Sequence, residues 1–365
     1  MNKKNLYEML SAMNDPKITA NWLRDTYFPE ITVRFNSEES RKRFGLYQNE
    51  RIPTNERNLT DVRTRMGVLI EFELARISNE LLVENQIDDL FWSYVVANRF
   101  PDLEIRKNNG DRQLRLEIKC LQCVAEEKSA NFDTLMKDIN PLTDYVIVCL
   151  WDWNKEKSSL YDWDSVPTIY KIYVFHAYSL ASLRDCYWLN NPPADLGNGY
   201  QGFDIRYAVT CKNGVYSKEQ GNYGKLTRIW KENFEYRPEE SDVLLDTEQE
   251  YLLFQKEIVF EGFKILVKEQ ITSIYNNTTI IPAEVQDNNT VIGYNYKKFL
   301  YLFRSRLSTN SQSYFKTLAN SNNAEIIICL TDKYNWTVYC IKNNEIQQYS
   351  KGNKPKNLFE ALNQL

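Results

Sequence analysis

Asp102, Glu117 and Lys119 are the residues of this chain whose types and spacing converge on one chemistry. They lie in the stretch Phe100 to Leu121, where two runs of alternating apolar and polar residues flank Asn109-Gly110, the dipeptide that best tolerates the positive φ angles of a two-residue turn. With those two residues as the turn, the pairing follows. Leu103 opposes Leu116 and Ile105 opposes Leu114 on an apolar face, while Asp102 meets Glu117, Glu104 meets Arg115 and Arg106 meets Gln113 on a polar one. Directly opposed Cβ atoms stand about 4.5–5.5 Å apart, so Asp102 against Glu117 is a like-charge pair that weakens a hairpin. A hard divalent cation reverses that sign, because Mg2+ takes one or two carboxylates and fills its remaining positions with water and phosphate oxygens. Lys119 follows Glu117 by two residues and projects from the same face. Two carboxylates and an ammonium thus meet at one end of the hairpin.

Pro101-Asp102 followed by Glu117-Ile118-Lys119 resembles the signature of the PD-(D/E)xK nuclease superfamily, most closely its type II restriction endonucleases. A Glu-x-Lys tripeptide alone carries no weight, and another occurs at Glu126 to Lys128. The preceding Pro-Asp, across a hairpin in matching register, makes it informative. The resemblance implies Mg2+-dependent phosphodiester hydrolysis, with Asp102 and Glu117 as metal ligands and Lys119 positioning or polarising the attacking water. It implies an α/β fold with a restriction-endonuclease-like core, a central mixed sheet flanked by helices. It also implies double-stranded DNA as substrate, a homodimer whose two-fold symmetry matches palindromic sites, and a host DNA methyltransferase protecting the same sequence. Two rivals stand beside it: a repair or recombination nuclease that reads structure, and a non-catalytic nucleic-acid-binding protein whose acids face solvent.

A helix must bring the next acid to the hairpin. Asn58 with Asp61 reads as an N-cap with an acidic third position, opening a helix to about Glu84. Val62, Met66, Leu69, Ile70, Leu74, Ile77 and Leu81 fall on one face. Helical phase puts Glu73 near the centre of that stripe and Glu71 well off it, and a carboxylate in an apolar stripe is costly without a partner. That favours Glu73. The segment Arg63-x-Arg65-x-Gly67-x-x-x-Glu71, however, looks like a restriction-endonuclease helix whose glutamate faces the metal site, which makes Glu71 the expected residue and Glu73 the alternative.

Three regions are expected: a helical N-terminal extension over 1–57, a catalytic domain over 58–238 and an α+β domain over 247–365 that contacts DNA or mediates dimerisation. Short amphipathic helices are expected at Leu6 to Met13 and Ile18 to Tyr27, and a further helix at Asp88 to Asn98 with Leu90, Phe91, Tyr94 and Val95 inward. After the hairpin come a helix over Asn131 to Ile139, strands over Asp144 to Trp151 and Thr168 to Phe175, and a helix over Tyr178 to Leu189. Gly197-x-Gly199-x-x-Gly202 has the wrong flanking elements for a dinucleotide site. A hairpin is expected around Asn213-Gly214, and Gly221 to Arg228 reads as a surface loop. Pro238 to Asp246 reads as a linker before a helix over Glu248 to Ile274. Strands follow near Thr279 to Val285, Thr290 to Tyr294, Ala324 to Leu330 and Trp336 to Ile341, with the aromatic and basic run Tyr294 to Arg306 between them.

Composition prunes the alternatives. Of 365 residues, 43% are hydrophobic, which supplies a sizeable core and excludes wholesale disorder. The single histidine, His176, rules out chemistry needing several, and its setting in Val174-Phe175-His176-Ala177 reads as packing. Cys120-x-x-Cys123 lacks the second pair that a structural zinc requires, and seven cysteines fit a reducing cytoplasm. No apolar run is long enough to span a bilayer. The net charge of −4 argues mildly against nucleic acid, but Arg34, Arg41, Lys42, Arg43, Arg51, Arg57, Arg63 and Arg65 form a local basic stretch, read equally as a phosphate track or a solvated face.

Overall fold

The structure, a computed structural model, describes residues 2–11, 14–45, 56–95, 100–123, 130–154, 166–190, 210–211, 214–215, 226, 229, 237–275, 283–287, 290–304, 306–330, 336–343, 345–352, 358, 360–362 and 364. The glycine-rich run at 197–202, most of the loop at 221–228 and the second Glu-x-Lys at 126–128 lie outside them. The chain is α/β and divides into two compact units, one comprising residues 1–122, 128–154 and 158–255, the other residues 123–127, 155–157 and 256–365.

In the first unit, helices α1 (Lys3–Ser11) and α2 (Pro16–Trp22), a π-helical turn (Leu23–Tyr27), α3 (Phe28–Phe35) and α4 (Glu38–Gly45) precede the long α5 (Glu56–Glu84). Asp15 caps α2 by accepting the amides of Lys17 and Ile18. Helix α5 is already formed at Glu56, so Asn58 lies inside it and is not its cap. Five strands form one mixed sheet in sequence order: β1 (Leu90–Tyr94), β2 (Leu103–Lys107), β3 (Arg112–Gln122), β4 (Asp144–Asn154) and β5 (Val166–His176). Only β3 and β4 run parallel. Helix α6 (Ala177–Asn190) follows directly.

Alternation divides the sheet into two buried faces. Leu103, Leu116, Ile118, Tyr145, Ile147, Ile172 and Val174 pack with Ile70, Leu74 and Ile77 of α5 and with Leu6, Leu10, Leu23 and Ile31. The N-terminal helices therefore share the sheet's core. On the other face Tyr173 and Phe175 meet Phe254, with ring centroids 5.1 and 5.8 Å apart.

Two expected helices are not helical over their described residues. Asp88 to Asn98 contributes strand β1, in which Leu90 and Trp92 are buried and Phe91 is exposed. The period is two, and Trp92 pairs with Ile105 of β2. Asn131 to Ile139 holds only a 3-10 turn at Met136–Asp138. Its backbone is bound from outside: Arg184 of α6 donates to the carbonyls of Phe132 and Thr134, each at 2.9 Å.

The hairpin register holds at Leu103–Leu116 and Glu104–Arg115, then slips, so that Arg106 opposes Arg112 and not Gln113. Only Gly110 adopts positive φ, at 91°, and Asn109 accepts the Asp111 amide through its side chain, which makes a longer loop with a bulge in place of a two-residue turn. The polar face is also not solvated. Glu104 is buried against Arg106 and Arg112, and Arg115 turns instead to Asp144 of β4.

Helix α7 (Asp242–Tyr275) begins within the expected linker. Short strands β6 (Thr210–Cys211) and β7 (Gly214–Val215) pair with Cys211 opposite Gly214, one residue earlier than a turn at Asn213-Gly214 requires, and the rest of that expected hairpin lies outside the described residues. In the second unit, β8 (Ala283–Asp287), β9 (Thr290–Tyr296), β10 (Phe299–Phe303), β11 (Ile326–Leu330), β12 (Trp336–Lys342) and β13 (Glu345–Gly352) form a six-stranded mixed sheet, with only β10 and β11 parallel. Phe299 and Tyr301 pack with Val267, Ile271, Leu358 and Leu362 on one face. Leu300 and Leu302 pack on the other with Phe315 and Ala319 of α8 (Gln312–Ser321). The run from Tyr294 to Phe303 is thus core strand, and Lys297 and Lys298 occupy the turn within it.

Candidate active site

Asp102 stands one residue before β2, and its Oδ2 accepts the backbone amide of Ile118 at 2.7 Å. Glu117 and Lys119 leave β3 on the same face as each other, and the Lys119 Nζ donates to Glu117 Oε1 at 2.6 Å. Glu117 is 9% exposed, and its Oε2 is buried with no hydrogen-bond partner among the described residues. The helix α5 crosses behind, close-packed at Gly67, where an added Cβ would sit 3.6 Å from Cys120 Cβ. One turn further along α5, Glu71 reaches the same cluster, with Tyr94 Oη of β1 donating to its Oε2 at 3.4 Å.

The electrostatics tie these groups together. Burial pushes the Glu71 carboxyl up to about 7; the charges of Asp102 and Glu117 push the same way, while Lys119 and Tyr94 oppose them. Burial also raises Asp102, against the pull of Lys119 and the Ile118 amide. Glu117 is raised by burial and by Asp102, partly offset by Lys119. For Lys119 burial works toward neutrality, but Glu117, Asp102 and Glu71 outweigh it and hold the ammonium above its usual range. Asp102, Glu117, Lys119 and Glu71 therefore form one electrostatically linked cluster.

Glu73 is elsewhere. It is buried, as its phase in the stripe requires, but its partners are structural: Ser40 Oγ at 2.8 Å, Arg43 Nε at 3.0 Å and Arg76 Nε at 2.8 Å. Burial raises its carboxyl, and Arg76, Ser40 and Arg43 together more than reverse that and lower it. The apolar stripe thus holds a buried acid at Glu73, and its partners there are Ser40, Arg43 and Arg76.

Two supports of the site, Tyr94 and Asp133, were not among the residues expected there. Asp133 adds a further negative charge beside Glu117. The segment carrying it is clamped by Arg184, whose guanidinium lies 5.3 Å from the Phe132 ring centroid. Phe132 meets Phe100 at 6.3 Å, and Arg115 covers Phe100 at 5.2 Å, so a chain of rings and cations brackets Pro101-Asp102. Tyr94 could have been found from the alternation of Leu90, Trp92 and Tyr94. Asp133, in a segment with no regular period, left no such signal.

Other expectations resolve here. His176 is packed, with Nε2 2.7 Å from the Pro141 carbonyl and Nδ1 2.8 Å from Ser179 Oγ. Cys120 and Cys149 face each other across β3 and β4 as free thiols, as is Cys123. Much of the basic stretch is spent internally: Arg34 binds Glu30 and Glu84, Arg43 binds Glu39 and Glu73, and Arg63 donates to Gln122. Arg51 lies outside the described residues, as do the side chains of Arg41 and Arg57, and Arg65 is exposed.

Among the described residues no set of three or more His, Cys, Asp or Glu side chains is grouped for a metal ion. Two clustered carboxylates, one with a buried and unpartnered oxygen, do fit Mg2+, which draws the rest of its shell from water and phosphate. No described helix is long and apolar enough to cross a membrane. No family model, curated protein or solved structure matches the chain.

Proposed function

We propose that this protein is a Mg2+-dependent endodeoxyribonuclease of the type II restriction class, hydrolysing phosphodiester bonds in double-stranded DNA at a specific sequence. The observation that carries this reading is the convergence of Asp102, Glu117 and Glu71 around Lys119, with Glu117 Oε2 buried and unpartnered. Asp102 and Glu117 would hold Mg2+, which supplies positive charge against the nonbridging and leaving oxygens of the scissile phosphate. Lys119, charged and anchored on Glu117, directs its remaining N–H donors to the attacking water or the phosphate. Glu71, with its carboxyl near 7, is suited to accept a proton at neutral pH. Burial of Glu117 and the ring bracket around Asp102 fix the acids before substrate arrives, so little reorganisation accompanies the reaction.

A restriction enzyme of this kind works as a homodimer on a palindromic site and has a host methyltransferase as counterpart. The test is incubation of the purified protein with phage or plasmid DNA, with and without Mg2+. Discrete fragments that vanish with EDTA support the proposal. Nicking confined to junctions or flaps would transfer it to a structure-specific nuclease, and DNA binding without cleavage under any divalent metal would overturn catalysis.

A further inference from the structure

Phe72 is half exposed, 50%, although it adjoins the acid cluster. Its ring stacks on Tyr94, with centroids 4.3 Å apart and planes at 20°, and the Tyr94 hydroxyl donates to Glu71. On α5, Val68 lies one turn before Phe72 and Arg65 two turns before, so the three form one stripe at helical spacing. All three are exposed. The neighbouring basic residues Arg34 and Arg43 are committed to acids, whereas Arg65 makes no ion pair with a described residue. An aromatic ring and a guanidinium on one open stripe, joined to the carboxylates through a stacked tyrosine, match what a nucleic-acid strand presents, flat bases on sugars linked by phosphates.

We propose that the stripe Arg65, Val68 and Phe72 seats the DNA strand beside the scissile phosphate, with Phe72 against a deoxyribose or base and Arg65 on a phosphate. This rests on the nuclease reading and identifies the surface that binds its substrate. Phe72 and Arg65 are binding and positioning residues, separate from the acids that act on the reacting phosphate.

The experiment measures binding of a fluorescent duplex oligonucleotide in Ca2+ and cleavage in Mg2+ for wild type, Phe72→Ala, Phe72→Trp, Arg65→Ala and the control Val83→Ala, an exposed position near the far end of α5. Phe72→Ala should weaken binding and raise KM about tenfold while kcat stays within about twofold. Phe72→Trp should restore both. Arg65→Ala should weaken binding several-fold and reduce the salt dependence by about one phosphate contact. Val83→Ala should match wild type, and circular dichroism confirms that each variant is folded. Wild-type KM and binding in Phe72→Ala overturn the inference and leave the nuclease reading standing. A fall in kcat without a change in KM also overturns it, because Phe72 would then act only by holding Tyr94 and Glu71. Wild-type protein that neither binds nor cuts DNA overturns both readings.

Discussion

Glu71 and Glu73 stand two residues apart on one helix and carry opposite electrostatic loads: burial and Asp102 hold the Glu71 carboxyl up near 7, whereas Glu73 is lowered by Arg76, Ser40 and Arg43. The cause is helical geometry, since two residues rotate a side chain by about 200° and send the pair to different neighbours. Glu73→Gln should therefore cost about 1–3 kcal/mol of stability in urea unfolding, because the buried arginine partnership is lost. Glu71→Gln should leave the urea midpoint unchanged or raised and remove most of the cleavage activity. Equal destabilisation by both substitutions would contradict this division.

The acid cluster sets a pH dependence whose sign is fixed. Glu71, Asp102 and Glu117 all have folded-state values raised above their unfolded ones. Their favourable contribution is full below the unfolded carboxylate range near 4 and is lost as pH rises, for Glu71 through about 7. Metal-free protein should thus lose on the order of 2–3 kcal/mol from Glu71 between pH 5 and pH 8. Millimolar Mg2+ should raise Tm more at pH 8 than at pH 5, and Asp102→Asn should shrink that difference. Calorimetry across pH, with and without the metal, reads both.

Lys119 is held charged by three acids and touches Glu117 directly. Lys119→Met, which keeps the stem and removes the charge, should lower kcat by about a hundredfold or more while duplex binding in Ca2+ stays near wild type. Single-turnover cleavage beside a binding isotherm separates the two. Cutting at the wild-type rate would remove Lys119 from the mechanism.

His176 supplies the opposite pH sign in the same unit. Burial depresses its folded-state value, so its contribution is full above about 6.5 and declines as pH falls through the lower folded value. In a Glu71→Gln background, which removes one of the competing carboxylates, the stability advantage of His176 over His176→Gln should shrink between pH 7 and pH 5.

Gly293 tests the second unit. A Cβ there would collide with the Tyr301 carbonyl oxygen on the adjoining strand β10. Gly293→Ala should cost about 2–4 kcal/mol and open the β9–β10 pairing. Hydrogen exchange at Tyr294 and Tyr301 should accelerate well before exchange in β3 and β4.

Local pattern was enough for part of this protein. Alternation of apolar and polar residues placed Asp102 with Glu117 at the end of one hairpin and put Lys119 on Glu117's face, because side chains along a strand repeat every two residues whatever surrounds it. Helical spacing likewise delimited most of α5. What depended on distant parts of the chain was not legible. Helical phase by itself did not separate the roles of Glu71 and Glu73, because the Arg43 and Ser40 that hold Glu73 approach from α4. The irregular backbone around Asp133 is held by Arg184, far along the chain. Periodicity is a property of a segment by itself. Burial and ion pairing belong to whichever segments meet, and only the folded chain decides that.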